Sequence, residues 1–171
     1  VPLLRKGDRR RLENGLVGEL GGCAGATICH YTWWERRTVS DGKSTRTEET
    51  SYTRTIAALP LPPAVAVALP SLSLHRRGAT GGLFDRLESA LTSDRVVELE
   101  SVRLHDRYKV EVPDGLDDLT VRRVFEPSFQ VWLEEAHARR LEAEVGQGLL
   151  VAWIPDRVRD PHGLDGLADD A

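Results

Sequence analysis

The chain has 171 residues, a length that suits one domain with a single core. Its 23 lysine and arginine residues against 27 aspartate and glutamate residues give a net charge of −4, without the basic excess of a protein that coats nucleic acid. With 40% hydrophobic and 29% charged residues it is neither collagenous nor wholly disordered, and its two cysteines exclude a disulfide framework and a thiol-only zinc site.

In chain order, residues 5–11 form a basic run, Arg-Lys-Gly-Asp-Arg-Arg-Arg. Asp8 can cap a helix whose apolar positions are Leu12, Leu16, Val17 and Leu20, stopped by Gly21-Gly22. Gly15 and Gly18 weaken that helix by about 1 kcal/mol each relative to alanine. From Ala26 the period changes to two, and Asp41-Gly42 is a favoured hairpin turn. Pairing about that turn puts Cys29, Tyr31 and Trp33 on one apolar face with Tyr52, Ile56 and Ala58. His30, Thr32, Thr53, Thr55 and Trp34 fall on the other face.

Pro60-Leu61-Pro62-Pro63 ends that ladder, because proline donates no backbone hydrogen bond. Leu72 and Leu74 predict a short strand ending at His75-Arg76-Arg77-Gly78, and Phe84, Leu87 and Leu91 predict a short amphipathic helix over 83–91. Residues 95–112 read as a β stretch. Val97 and Leu99 are odd while Val102, Leu104, Tyr108, Val110 and Val112 are even, so a bulge, bend or turn is expected at Glu100-Ser101. A helix starts at Asp117 or Asp118, and another at Pro127 with a Phe129, Trp132, Leu133, Ala136 stripe. Leu141, Ala143 and Val145 alternate with Glu142 and Glu144, which read as solvated positions. Leu149 to Ile154 are apolar on both faces, as a central strand would be.

This order predicts an α+β fold, a mainly antiparallel sheet with three to four short helices. The layout is a basic, juxtamembrane-like segment and short helix over 1–22, a single α+β domain over 23–158, and a disordered acidic tail over 159–171. The chain begins at Val1 and contains no methionine. A longer parent protein is therefore expected, and cations beside a preceding apolar segment would mark a juxtamembrane stretch.

No constellation of residues stands out as catalytic, cofactor-binding or metal-ligating. Cys29 and His30 are strand neighbours that point to opposite faces, so Cys29 reads as a core thiol and not as a metal ligand. The five histidines form no HExxH or H-x-E pattern, and G-x-S-x-G, P-loop and G-x-G-x-x-G motifs are absent. The best cluster is basic and aromatic: Trp34, Arg36, Arg37 and Arg46 on the first hairpin. It reads either as a contact surface or as an edge kept soluble by charge. An enzyme or small-molecule binder would need His30 or His105 gathered with carboxylates across the fold. Nucleic-acid binding through the same hairpin is disfavoured, because Glu35, Asp41, Glu48 and Glu49 dilute its field.

Glu100, Ser101, Leu104, His105, Tyr108 and Val110 resemble the E-S-x-x-F-N-x-x-F-x-V signature of an uncharacterised bacterial family. Pro127 to Leu133 resembles its following helix, and Leu149 to Pro155 its closing strand. The likeness spans residues 12–158. Leu104, His105 and Tyr108 depart from the family's Phe, Asn and Phe; the apolar pattern survives, and the polar position does not. The resemblance implies the soluble domain of a protein anchored by transmembrane helices upstream of Val1, on the cytoplasmic face of a bacterial membrane. The expected role is a non-enzymatic interaction or scaffolding module without a cofactor, whose partner is another protein or a second copy of the chain.

Overall fold

In the computed structural model, which describes residues 1–77, 94–136, 140–155 and 157–158, the segments flanking Asp41-Gly42 pair as one long antiparallel hairpin. Its strands are β2 (Cys23–Ser40) and β3 (Thr45–Pro60), in a register that sets Cys29 opposite Ile56 and Trp33 opposite Tyr52. The alternation thus keeps the two faces expected of it. Around this hairpin the sheet grows to eight antiparallel strands: β1 (Arg9–Leu20), β4 (Leu72–Arg76), β5 (Asp94–Val97), β6 (Tyr108–Pro113), β7 (Glu142–Gly146) and β8 (Leu149–Ile154) complete it. The order is β1-β2-β3-β8-β7-β4-β6-β5, so β8 is central, as its two-sided apolar sequence requires.

Four short helices are described: α1 (Pro63–Ala68), α2 (Val102–Arg107), α3 (Asp118–Val124) and α4 (Pro127–Ala136). The fold is α+β, dominated by one antiparallel sheet. None of the described helices is long and apolar enough to cross a membrane.

Each face of the sheet has its own cover. On the helix face, Leu104, Val121, Phe125 and Leu133 from α2, α4 and the α3 region pack on Leu72, Leu74, Val110 and Val112. Trp132 joins that cluster to a second one of Ala26, Ala57, Leu59 and Ala152. On the opposite, N-terminal face, Leu3 from a 3-10 turn (Leu3–Arg5) packs with Cys29, Tyr31, Trp33, Ile56, Val151 and Trp153. Cys29 is a buried free thiol, as its alternation implies.

Three expectations need correction. The segment that Asp8 was to cap, Arg9–Leu20, is strand β1 and not a helix. Its glycines disfavour a helix, and pairing along the margin of β2, from Arg9↔Trp34 to Leu20↔Cys23, satisfies the backbone of both segments. The stretch 95–112 is not continuous β structure. β5 ends at Val97, and helix α2 intervenes before β6, capped by the Ser101 hydroxyl, which accepts from the Leu104 amide at 3.4 Å. The parity changes where expected, at Glu100-Ser101, but through a helix, and Val102 lies 74% exposed instead of facing the core.

The third correction concerns Glu144, read as solvated but only 2% exposed. It sits on β7 facing the N-terminal side, and its Oε2 accepts the Leu3 amide at 2.8 Å. Burial pushes its pKa above the ordinary 4.5, against the opposing effects of the Leu3 amide, His75 and Lys6. The helix expected over 83–91 and the tail over 159–171 fall outside the described residues.

Candidate interaction surface

The β1–β2–β3 region carries the surface that the tryptophans and arginines of the first hairpin point to. β1 pairs with β2 only as far as Trp34, and β8 pairs with β3 only from Thr55 onward. Beyond those ladders, residues 35–40 and 45–50 pair with each other, from Glu35↔Thr50 to Ser40↔Thr45. At about 3.4 Å per residue, these six pairs form a two-stranded arm about 20 Å long. Its tip is held by Asp41, whose Oδ1 accepts the Ser44 amide at 2.7 Å and the Lys43 amide at 3.0 Å. Those amides hold the Asp41 carboxyl below its ordinary value.

Residues 35–50 hold four cations (Arg36, Arg37, Lys43, Arg46) and four anions (Glu35, Asp41, Glu48, Glu49), and Val39 is the single aliphatic residue among them. An isolated two-stranded ribbon is marginal in water, and surface ion pairs add at most about 1 kcal/mol each. The arm therefore depends on the rigid sheet at its base. There Trp33 stacks between Tyr31 and Tyr52, at 5.7 and 5.2 Å between ring centroids, and donates from Nε1 to Glu35 at 3.0 Å.

The four surface residues expected from sequence do not form one patch. Trp34 and Arg36 lie on the helix face with Arg9 and Glu49. The Arg9 guanidinium stands 4.1 Å from the Trp34 ring centroid, and Glu49 contacts Arg36 at 3.1 Å and Arg9 at 3.5 Å. Trp34 is half-buried under that cation instead of standing free. Arg37 and Arg46 lie on the other face, where Arg46 pairs with Glu48 at 2.7 Å. Arg9 is the member that sequence reasoning missed, because it was assigned to a helix.

His30 and His75 are built into the structure through both ring nitrogens. His30 contacts the Val158 carbonyl through Nε2 at 2.8 Å. Its Nδ1 meets the Asn14 amide at 3.0 Å and Arg157 Nε at 3.2 Å, so this nitrogen accepts and Nε2 donates. His75 lies between Glu142 at 3.3 Å and Glu111 at 4.0 Å, its ring tilted on Trp153. In the stretch that resembles the bacterial signature, Glu100 pairs with Arg122 at 2.6 Å, Ser101 caps α2 and donates to Glu134 at 2.8 Å, and Leu104, Tyr108 and Val110 are core.

Among the described residues, no group of three or more histidine, cysteine, aspartate or glutamate side chains is placed to hold a metal ion. A shallow depression of about 200 Å3 is lined by Val1, Leu4, Arg5, Gly146, Gln147 and Leu149, a set without a carboxylate, imidazole or thiol for acid–base or nucleophilic work. Set against protein-family models, curated proteins and solved structures, the chain matches none.

Proposed function

We propose that the chain is a non-enzymatic interaction domain that presents the β2–β3 arm to a protein partner. One observation carries this reading. Residues 35–50 extend past both flanking ladders and contribute nothing to the three core clusters. Ordering such a segment costs roughly 1–2 kcal/mol of backbone entropy per residue. A protein that keeps it ordered without burying it gains by offering its open faces to something else. The balance of four cations and four anions favours a protein surface over a polyanion.

The sequence resemblance supports a finer reading, that this is the cytoplasmic domain of a membrane-anchored bacterial protein in which residues 5–11 lie nearest the bilayer. Basic residues at such a boundary favour an anionic leaflet.

The arm is tested with a photo-crosslinking residue in place of Val39, in the intact gene product in its own host. A discrete heavier adduct is expected there and not with the same probe at Val67, an exposed position on α1. Equal labelling at both sites, or no adduct at the arm, overturns the proposal.

A further inference from the structure

The two margins of the sheet are built differently. β5 is four residues long, the usual short edge that gives other chains little to pair with. β1 is twelve residues long and has no strand on its outer side among the described residues. It also exposes Leu12, Leu16 and Val17 at 63%, 60% and 75%.

We infer that β1 is a self-complementary edge that joins two copies of this chain into one continuous antiparallel sheet, with the two-fold axis between Asn14 and Gly15. The ladder from β1 to β2 shifts by one residue between Glu13 and Leu16, and Asn14 takes a φ of 54° there. This bulge reverses side-chain parity. As a result Leu12 and Val17, an odd number of residues apart, both lie on the N-terminal face, opposite Tyr31 and Thr27.

An antiparallel pair requires directly opposed residues to share a face. A two-fold at the bulge meets that requirement and sets Leu12 of each copy against Val17 of the other. It also opposes Arg10 to Glu19 and Glu13 to Leu16. The Arg10 guanidinium is bonded to the neutral carbonyls of Arg5, Lys6 and Gly7 and pairs with no carboxylate among the described residues, and Glu19 of the second copy supplies the opposite sign. A parallel arrangement would stack the Arg9-Arg10-Arg11 run on itself and is excluded by repulsion. The bulge falls on the axis, and the second register shift, between Gly18 and Glu19, takes its extra residue, Gly25, from β2, so five-residue runs of β1 remain on each side to pair.

This surface is separate from the arm, so its failure leaves the arm's role standing. The test uses the full chain and sedimentation equilibrium at micromolar concentrations. The wild type is expected to be a dimer. Leu12→Glu and Val17→Lys each alter an exposed side chain and should fold as the wild type by circular dichroism. Each should weaken dimerisation roughly tenfold or more, because the apolar contact at both Leu12–Val17 pairs is lost. An equimolar mixture of the two is expected to recover dimers, since Glu and Lys then oppose each other. A chain with the arm shortened to a turn between Glu35 and Thr50 should still dimerise. A monomeric wild type overturns the inference. So does a dimer that tolerates both single substitutions, a mixture that stays monomeric, or a dimer lost when the arm is shortened.

Discussion

Replacing Glu144 by glutamine isolates the effect of one buried charge. The folded protein holds this carboxyl's pKa above 4.5, the value taken for the unfolded chain. Below that pH both states carry the proton. As pH rises through 4.5 the unfolded chain ionises first, so stability falls until the folded carboxyl ionises at its higher pKa, and is constant beyond. One proton limits the slope to about 1.4 kcal/mol per pH unit across that window. Glutamine still accepts the Leu3 amide and has no proton to lose, so Glu144→Gln should lack this fall. Groups with lowered pKa values, such as Asp41 and Asp117, are common to both proteins and cancel in the difference. Urea unfolding followed by tryptophan fluorescence, from about pH 4 to pH 8, measures the difference directly. The gap in favour of the variant should open above pH 4.5 and then level off. Glu144→Leu serves as the companion: it orphans the Leu3 amide, which should cost about 1–3 kcal/mol even in acid. Parallel profiles for wild type and Glu144→Gln, or a gap that narrows as pH rises, would refute the reasoning.

Gly7→Ala should destabilise the fold by roughly 1–3 kcal/mol in the same assay. Gly7 has φ +75°, and an added Cβ would lie 2.7 Å from the Trp34 carbonyl and 2.8 Å from the Trp33 ring. Trp132→Ala, which removes the contact between the two helix-face clusters, should cost about 3 kcal/mol and lower the denaturant midpoint without changing the far-ultraviolet spectrum.

What the sequence disclosed depended on whether each residue's neighbours lie nearby in the chain. The β2–β3 register was legible because a two-residue period runs on both sides of an Asp-Gly turn. β8 was legible because Leu149 to Ile154 can only be buried from both sides, and α3 because Asp117 caps it, accepting the Thr120 amide at 3.0 Å. β1 was hidden because its apolar residues match helical spacing and those at 12, 16 and 17 are not buried. An edge strand with apolar side chains on both faces leaves no alternation to read. Glu144 was hidden for another reason: its cover is the segment around Leu3, 141 residues away in sequence. The arm's composition was plain, but its reach was not, because it begins where β1 and β8 stop.

The central place of β8 has a kinetic consequence. Strands β1 to β3 can pair as soon as they are synthesised, and so can β4 and β5 with β6, but the two halves meet only through the β7–β8 hairpin, the last strands of the described chain. Until that hairpin arrives, β3 and β4 each keep an open margin, and closing the sheet requires contacts between segments far apart in sequence, which fold slowly. A ribosome-bound chain stalled before Glu142 would display two half-sheets with open margins, the state in which this protein most needs a chaperone.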